Sequence, residues 1–274
     1  MSDTSPVDGR GQPTAEIDAS HPQSARIYNY WLGGKDNYPV DREMGEQIRQ
    51  LLPGIPEMAR HQRAFLIRVV TYLTGEAGIR QFLDIGTGLP TANNTHEVAQ
   101  RIAPESRIVY VDNDPVVLVH ARALLTSSPQ GVTQYVDADL RNPDRILAEA
   151  SRTLDLTQPV AIMLLGVIHH LTDHDEAAAV VKRLVDAVAP GSHLVITQTT
   201  NTVTGAAMDE AVRQWNEASP TPIVVRTPGQ IADFFDGLEL LEPGVVSTTQ
   251  WRPDPADPGS QKLMDEFGAV GRKP

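Results

Sequence analysis

Between residues 81 and 198 the chain alternates short apolar runs with longer amphipathic stretches, and this alternation limits its fold more than any other feature. Residues 81–85 (QFLDI), 107–111 (RIVYV), 132–136, 160–165 (VAIMLL) and 194–198 read as strands. Helices are expected over 91–102, from Pro115 onward, over 143–153 and over 173–189, the last capped by Asp173. The run at 160–165 is apolar on both faces, as a central parallel strand must be. Strands and helices in this order close into a doubly wound, mostly parallel sheet with right-handed crossovers.

The flanks read differently. Residues 1–22 are polar and rich in Pro, Gly, Asp and Ser, the composition of a disordered tail. Residues 23–78 carry helical spacing. Ile27, Tyr30 and Trp31 share one face, Gly33-Gly34 can end that helix in a left-handed cap, and further helices are expected over 40–52 and 57–73. Residues 79–274 form the α/β part. Its later portion suggests helices over 205–218 and 227–235, strands over 238–241 and 245–251, a loop over 252–259 and a terminal helix over 263–270. The expected architecture is therefore α/β: a seven-stranded, Rossmann-like sheet with an N-terminal helical cap.

Composition narrows the chemistry. The 274 residues include no cysteine, which excludes disulfides, thiolate metal sites, iron–sulfur clusters and thiol nucleophiles. His and Asp spacing suggests no metal site. With 23 basic and 35 acidic side chains the chain carries a net charge of −12, which fits nucleic acid poorly as a partner. The longest apolar run, 160–165, is far short of the roughly 20 residues that span a bilayer, and no apolar leader follows Met1. A soluble, cytoplasmic protein of undetermined oligomeric state is expected.

In an open α/β sheet, ligands bind at the carboxyl ends of the strands. Here the first strand runs into Asp84-Ile-Gly86-Thr-Gly88-Leu-Pro-Thr91. The glycines permit a tight turn and let a ligand reach the backbone; a turn with no ligand is the alternative reading of this motif alone. The second strand ends at Asp112, spaced from the glycines as a ribose-binding carboxylate would be, with Asn113 beside it. Asp139 follows the third strand and can accept from an exocyclic amine, with a plain polar loop or helix cap as the alternative. The fourth ends in Gly166-Val-Ile-His169-His170. A dinucleotide fingerprint wants a third glycine where Thr91 stands. A ligand with a ribose, an adenine and a small carboxylate but no phosphate fits better, and S-adenosylmethionine is such a ligand.

Residues 81–198 resemble the class I S-adenosylmethionine-dependent methyltransferases. The stretch HPQSARIYNYWLGGKDNY at 21–38, followed by Asp41-Arg42 and by FLDIGTGLPT at 82–91, is similar to an actinobacterial family of such enzymes, formerly a domain of unknown function, and the resemblance covers roughly residues 21–252. The resemblance implies the fold and the cofactor S-adenosyl-L-methionine. It also implies contacts of Gly86 and Gly88 with the methionine part, Asp112 with the ribose, Asp139 with the adenine, Asn113 at the adenine edge and Asp84 with the amino end. It supplies no acceptor; a small molecule is expected.

The aromatic residues cluster at 28–38, where a lid over the crevice would place Tyr30, Lys35 and Asn37 against the cofactor; a helix simply packed on the domain is the alternative. His169 and His170 are candidate general bases beside the expected methyl position, with loop-stabilising hydrogen bonds as the alternative. Two other functions compete with methyl transfer: a noncatalytic S-adenosylmethionine-binding regulator and an NAD-dependent oxidoreductase. Thr91 and Asp139 disfavour the second.

Overall fold

The computed structural model describes residues 18–124, 126–253 and 262–274. Most of the expected N-terminal tail, and most of the loop expected over 252–259, lie outside these residues.

Five parallel strands form the body of the sheet: β1 (Gln81–Ile85), β2 (Arg107–Asp112), β3 (Val132–Asp137), β4 (Ala161–Leu165) and β5 (His193–Thr199). Their spatial order is β3-β2-β1-β4-β5, so the winding reverses between β1 and β4. That reversal opens a crevice at the carboxyl ends of these two strands. Three more strands, β6 (Glu239–Leu240), β7 (Val246–Ser247) and β8 (Glu266–Arg272), complete the sheet. β8 runs antiparallel between β5 and β6, and β7 also pairs with it.

This last region corrects the sequence reading. Residues expected to form a terminal helix over 263–270 instead form β8, buried along nearly its whole length. The strands expected over 238–241 and 245–251 are two-residue pieces, each paired with β8. Gly268 and Gly271 weaken the strand signature of β8, and the packing requires them. A Cβ on Gly271 would lie 2.7 Å from the Phe235 ring, and one on Gly268 3.1 Å from that of Phe65.

Helices α4 (Thr95–Ile102) and α5 (Pro115–Leu124) follow β1 and β2. Period-two alternation sends side chains of β1 to opposite faces. Leu83 and Ile85 join a core with the helices α6 (Pro143–Ala150) and α7 (His174–Asp186), whereas Phe82 packs with Phe65, Val69 and Leu73 of α3 (Ile55–Gly75). α3 is thus a layer on the sheet itself. A third apolar cluster joins α1 (Ser24–Trp31), α2 (Pro39–Leu51) and α8 (Ala206–Ala218), and stands over the carboxyl edge. Among the described residues no helix is long and apolar enough to cross a membrane.

Candidate active site

A cavity of about 570 Å³ occupies the crevice, bounded below by the strand ends and above by α1, α2, α3 and α8. The turn after β1 forms its floor. Gly86 and Gly88 both adopt positive φ, +74° and +61°, which glycine accepts without strain. A Cβ at Gly86 would lie 2.4 Å from Val167, in the turn after β4, so the two loops meet there. At Gly88 the same position faces open space.

Asp112 organises this turn. Its Oδ2 accepts the Gly88 amide at 2.9 Å and its Oδ1 the Asp114 amide at 2.9 Å. Burial pushes its pKa up to about 6, against these hydrogen bonds, which pull it down. Asp84 lies in the wall behind, with Thr95 Oγ1 donating to it at 2.6 Å; burial raises its pKa to about 6 as well. Each carboxylate oxygen retains a lone pair for a further donor. Asn113 Nδ2 donates to Asp139 Oδ2 at 3.3 Å, linking the ends of β2 and β3 across the mouth of the cavity. All six residues expected here, Asp84, Gly86, Gly88, Asp112, Asn113 and Asp139, line the cavity.

His169 and His170 line it too, on a short 3-10 turn after β4. That turn is held from below by Arg226, which donates to the Ile168 and Leu171 carbonyls. Burial holds the His169 pKa well below the usual imidazole range, so the ring stays neutral, and its Nδ1 has no hydrogen-bond partner in the protein. His170 faces the Pro222 carbonyl at 3.3 Å.

The structure separates Tyr30, Lys35 and Asn37 from the cavity. Tyr30 donates to Glu46 at 2.6 Å, on the outer side of α1. Asn37 donates to Asn29 Oδ1 and the Gly34 carbonyl, both at 3.0 Å, and Lys35 is exposed. The polar loop after α1 is consumed by its own folding: Asn29 Oδ1 also accepts the Asp36 amide at 3.1 Å, and a Cβ on Gly34 would lie 2.5 Å or less from the Asn29 side chain. Tyr28 and Trp31, three residues apart on the inner face of α1, line the cavity instead. Tyr28 donates to the Ala59 carbonyl at 3.0 Å.

Among the cavity residues that escaped the sequence reading are Gln62, Arg63 and Glu266. Arg63 projects from α3 and donates to the Ala92 and Asn93 carbonyls beside the glycine turn. Its basic side chain lies mid-helix, where local pattern carries no sign of a site.

A family model described as S-adenosyl methyltransferase matches residues 10–274. A DUF574 family protein from Streptomyces avermitilis is 44% identical over 94% of this chain and all of its own, with a TM-score of 0.90. A candidate methyltransferase from Thermobifida fusca is 43% identical over 94% of this chain and 97% of its own, with a TM-score of 0.84. Human N-acetylserotonin methyltransferase, solved with S-adenosylmethionine, is 14% identical and shares the fold at a TM-score of 0.50, over 92% of this chain and 63% of its own. The curated proteins give no match. The strand order, the glycine turn with its carboxylates and a family match over nearly the whole length agree: the chain belongs to the S-adenosyl methyltransferase family and is an S-adenosylmethionine-dependent methyltransferase of class I, Rossmann-like fold.

Proposed function

We propose that this methyltransferase transfers the methyl group of S-adenosylmethionine to a small molecule bound under α1, α2 and α8. The observation that carries the reading is the continuity of one cavity from the acidic strand ends to the apolar helices.

The wall suits the cofactor. Thr87 Oγ1 and His169 Nδ1 line the cavity as buried polar atoms without a protein partner, and the open side of Gly88 leaves the backbone approachable. In this reading Asp112 accepts from the ribose hydroxyls, and Asp139 and Asn113 flank the adenine. Gly86 and Gly88 take the methionine part, with Asp84 near its amino group and Arg63 near its carboxylate. When bound, the cofactor supplies a sulfonium methyl that is already reactive. The chain's own work is alignment and exclusion of water. Tyr28 and Trp31 of α1 close the cavity from above, which assigns α1 and α2 the role of a lid. His169, neutral and half-buried, offers a hydrogen-bonding nitrogen to the ligands.

Calorimetric titration tests the reading. S-adenosylmethionine and S-adenosylhomocysteine should bind with sub-millimolar affinity, and NAD should give no heat. Binding of NAD without a response to S-adenosylmethionine would overturn it.

A further inference from the structure

Away from the acidic strand ends the cavity changes character. Ile27 and Trp31 of α1, Leu52 after α2, Met58 of α3 and Met208 and Trp215 of α8 enclose an apolar compartment. A carboxylate also lines this cavity, and none of the cofactor contacts proposed above uses it. Glu266, the first residue of β8, is 3% exposed. It pairs in register with Thr199 at the carboxyl end of β5, two strands from the glycine turn. Its Oε1 accepts from Gln62 Nε2 at 3.0 Å and its Oε2 from Thr199 Oγ1 at 3.0 Å.

Both donors are neutral. A glutamine could accept from Gln62 through its oxygen and donate to the Thr199 hydroxyl through its amide nitrogen, so these two neutral partners alone do not call for an acid here. The neutral Thr197 also hydrogen-bonds the carboxylate, and of the about four lone-pair sites on its two oxygens one is left for a further donor. Burial raises the Glu266 pKa to about 7, and its neighbour Asp265 pushes the same way. Tyr28 faces the same space from α1, and Arg63 from α3. Glu266 is thus matched to accept a proton near neutral pH, whereas His169 is held too acidic to do so well.

We propose that the methyl acceptor is an uncharged, largely apolar phenol lying in this compartment, with Glu266 as the catalytic residue that takes its hydroxyl proton. The proposal rests on the methyl-transfer reading above. An amine acceptor would enter as a cation, which an ionised Glu266 would hold as an ion pair in its protonated, unreactive form. An aliphatic alcohol is too weak an acid for a carboxylate to deprotonate. A phenol ionises near pH 10, as tyrosine does, and its ring suits the faces of Trp31 and Trp215. In the step, the phenolic O–H bond breaks and its proton passes to the Glu266 carboxylate. The phenolic oxygen forms the new O–CH₃ bond, and the old carbon–sulfur bond breaks with its electron pair left on sulfur.

The test uses 2-naphthol and naphthalene as probes, with the full chain saturated with S-adenosylhomocysteine. The wild-type protein should bind 2-naphthol at least about tenfold more tightly than naphthalene, the gain expected for a hydroxyl donating to a charged acceptor. Glu266→Gln should bind S-adenosylhomocysteine and naphthalene unchanged and lose most of the preference for the hydroxyl. Met208→Trp, which fills the compartment, should lose both aromatics and keep S-adenosylhomocysteine. Equal binding of the two probes, no binding of either, or an undiminished preference in Glu266→Gln would overturn the proposal. If Glu266→Gln does not fold, the wild-type preference and Met208→Trp decide the matter. Failure of the wild-type protein to bind S-adenosylhomocysteine would instead remove the cofactor reading, and the probe comparison in its absence would still judge the compartment.

Discussion

Arg26 Nε donates to Asp41 Oδ2 at 2.8 Å inside the protein, with the two side chains 1% and 0% exposed. Asp41 also accepts the Gln23 amide at 3.0 Å and the Tyr38 amide at 2.8 Å, and Arg26 donates to the Asp18 and His21 carbonyls. One carboxylate therefore fixes the approach to α1 and the start of α2. Asp41→Asn would leave a buried guanidinium without its counter-charge, and breaking such a pair costs about 3–5 kcal/mol. Urea unfolding should show that loss, accompanied by weaker binding of S-adenosylhomocysteine as the lid loosens. A change under about 0.5 kcal/mol, the scale of an ordinary surface substitution, would contradict the role.

Asp112→Ala removes the acceptor of the Gly88 amide together with the expected ribose contact. S-adenosylhomocysteine should bind about 1–3 kcal/mol more weakly, as measured by calorimetry on a variant whose circular dichroism shows it folded. Unchanged affinity would exclude Asp112 from the site.

The two glycines of the turn should behave differently. Gly86→Ala combines a positive φ with a Cβ 2.4 Å from Val167, so it should destabilise the fold and abolish cofactor binding together. Gly88→Ala meets no protein atom. It should cost only the roughly 1–2 kcal/mol of left-handed strain while weakening the cofactor by more, because its methyl group projects into the binding space. Thermal melts with and without S-adenosylhomocysteine separate the two effects, and equal behaviour of the variants would speak against the assigned geometry.

Burial raises Asp84 and Asp112 to about 6, above the ordinary carboxylate value near 4. Between those values the folded protein binds more protons than the unfolded chain. Stability of the free protein should therefore fall as pH rises from about 4 to about 6, opposite in sign to the contribution of a salt-bridged carboxylate. Cofactor affinity should move the other way and strengthen as pH rises through about 6, because only the ionised carboxylates accept from both ribose and amine. Calorimetry between pH 5 and 8 checks this; a flat profile would show that neither carboxylate titrates against the ligand.

The sheet and its acidic strand ends could be read from the sequence because they rest on local signals. Alternating strand and helix patterns fix the winding, and the glycines and aspartates sit at the turns where that winding opens. β8 could not be read so easily. Its two glycines answer to Phe65 and Phe235, and its pairing with β5 joins residues far apart in sequence, so nothing local marks it as a strand. Glu266 was hidden for the same reason: only the pairing brings it beside Gln62 and Thr199. Tyr30, Lys35 and Asn37 show the converse. A polar loop after a helix stop suggests an exposed binding segment, but here Asn29 and Glu46 consume its hydrogen bonds within the cap.

Because β8 is inserted between β5 and β6, a growing chain reaches residue 265 with the β5 backbone edge still open. Until residues 266–272 arrive, the hydrogen-bonding groups of β5 have no neighbour on that side, and such an edge invites pairing with other chains. The carboxylate proposed to receive the acceptor's proton comes into position on that same closing strand. Closure of that edge against aggregation and completion of the acceptor wall would therefore coincide, so a truncation just before Glu266 should yield an insoluble chain rather than a soluble, inactive one.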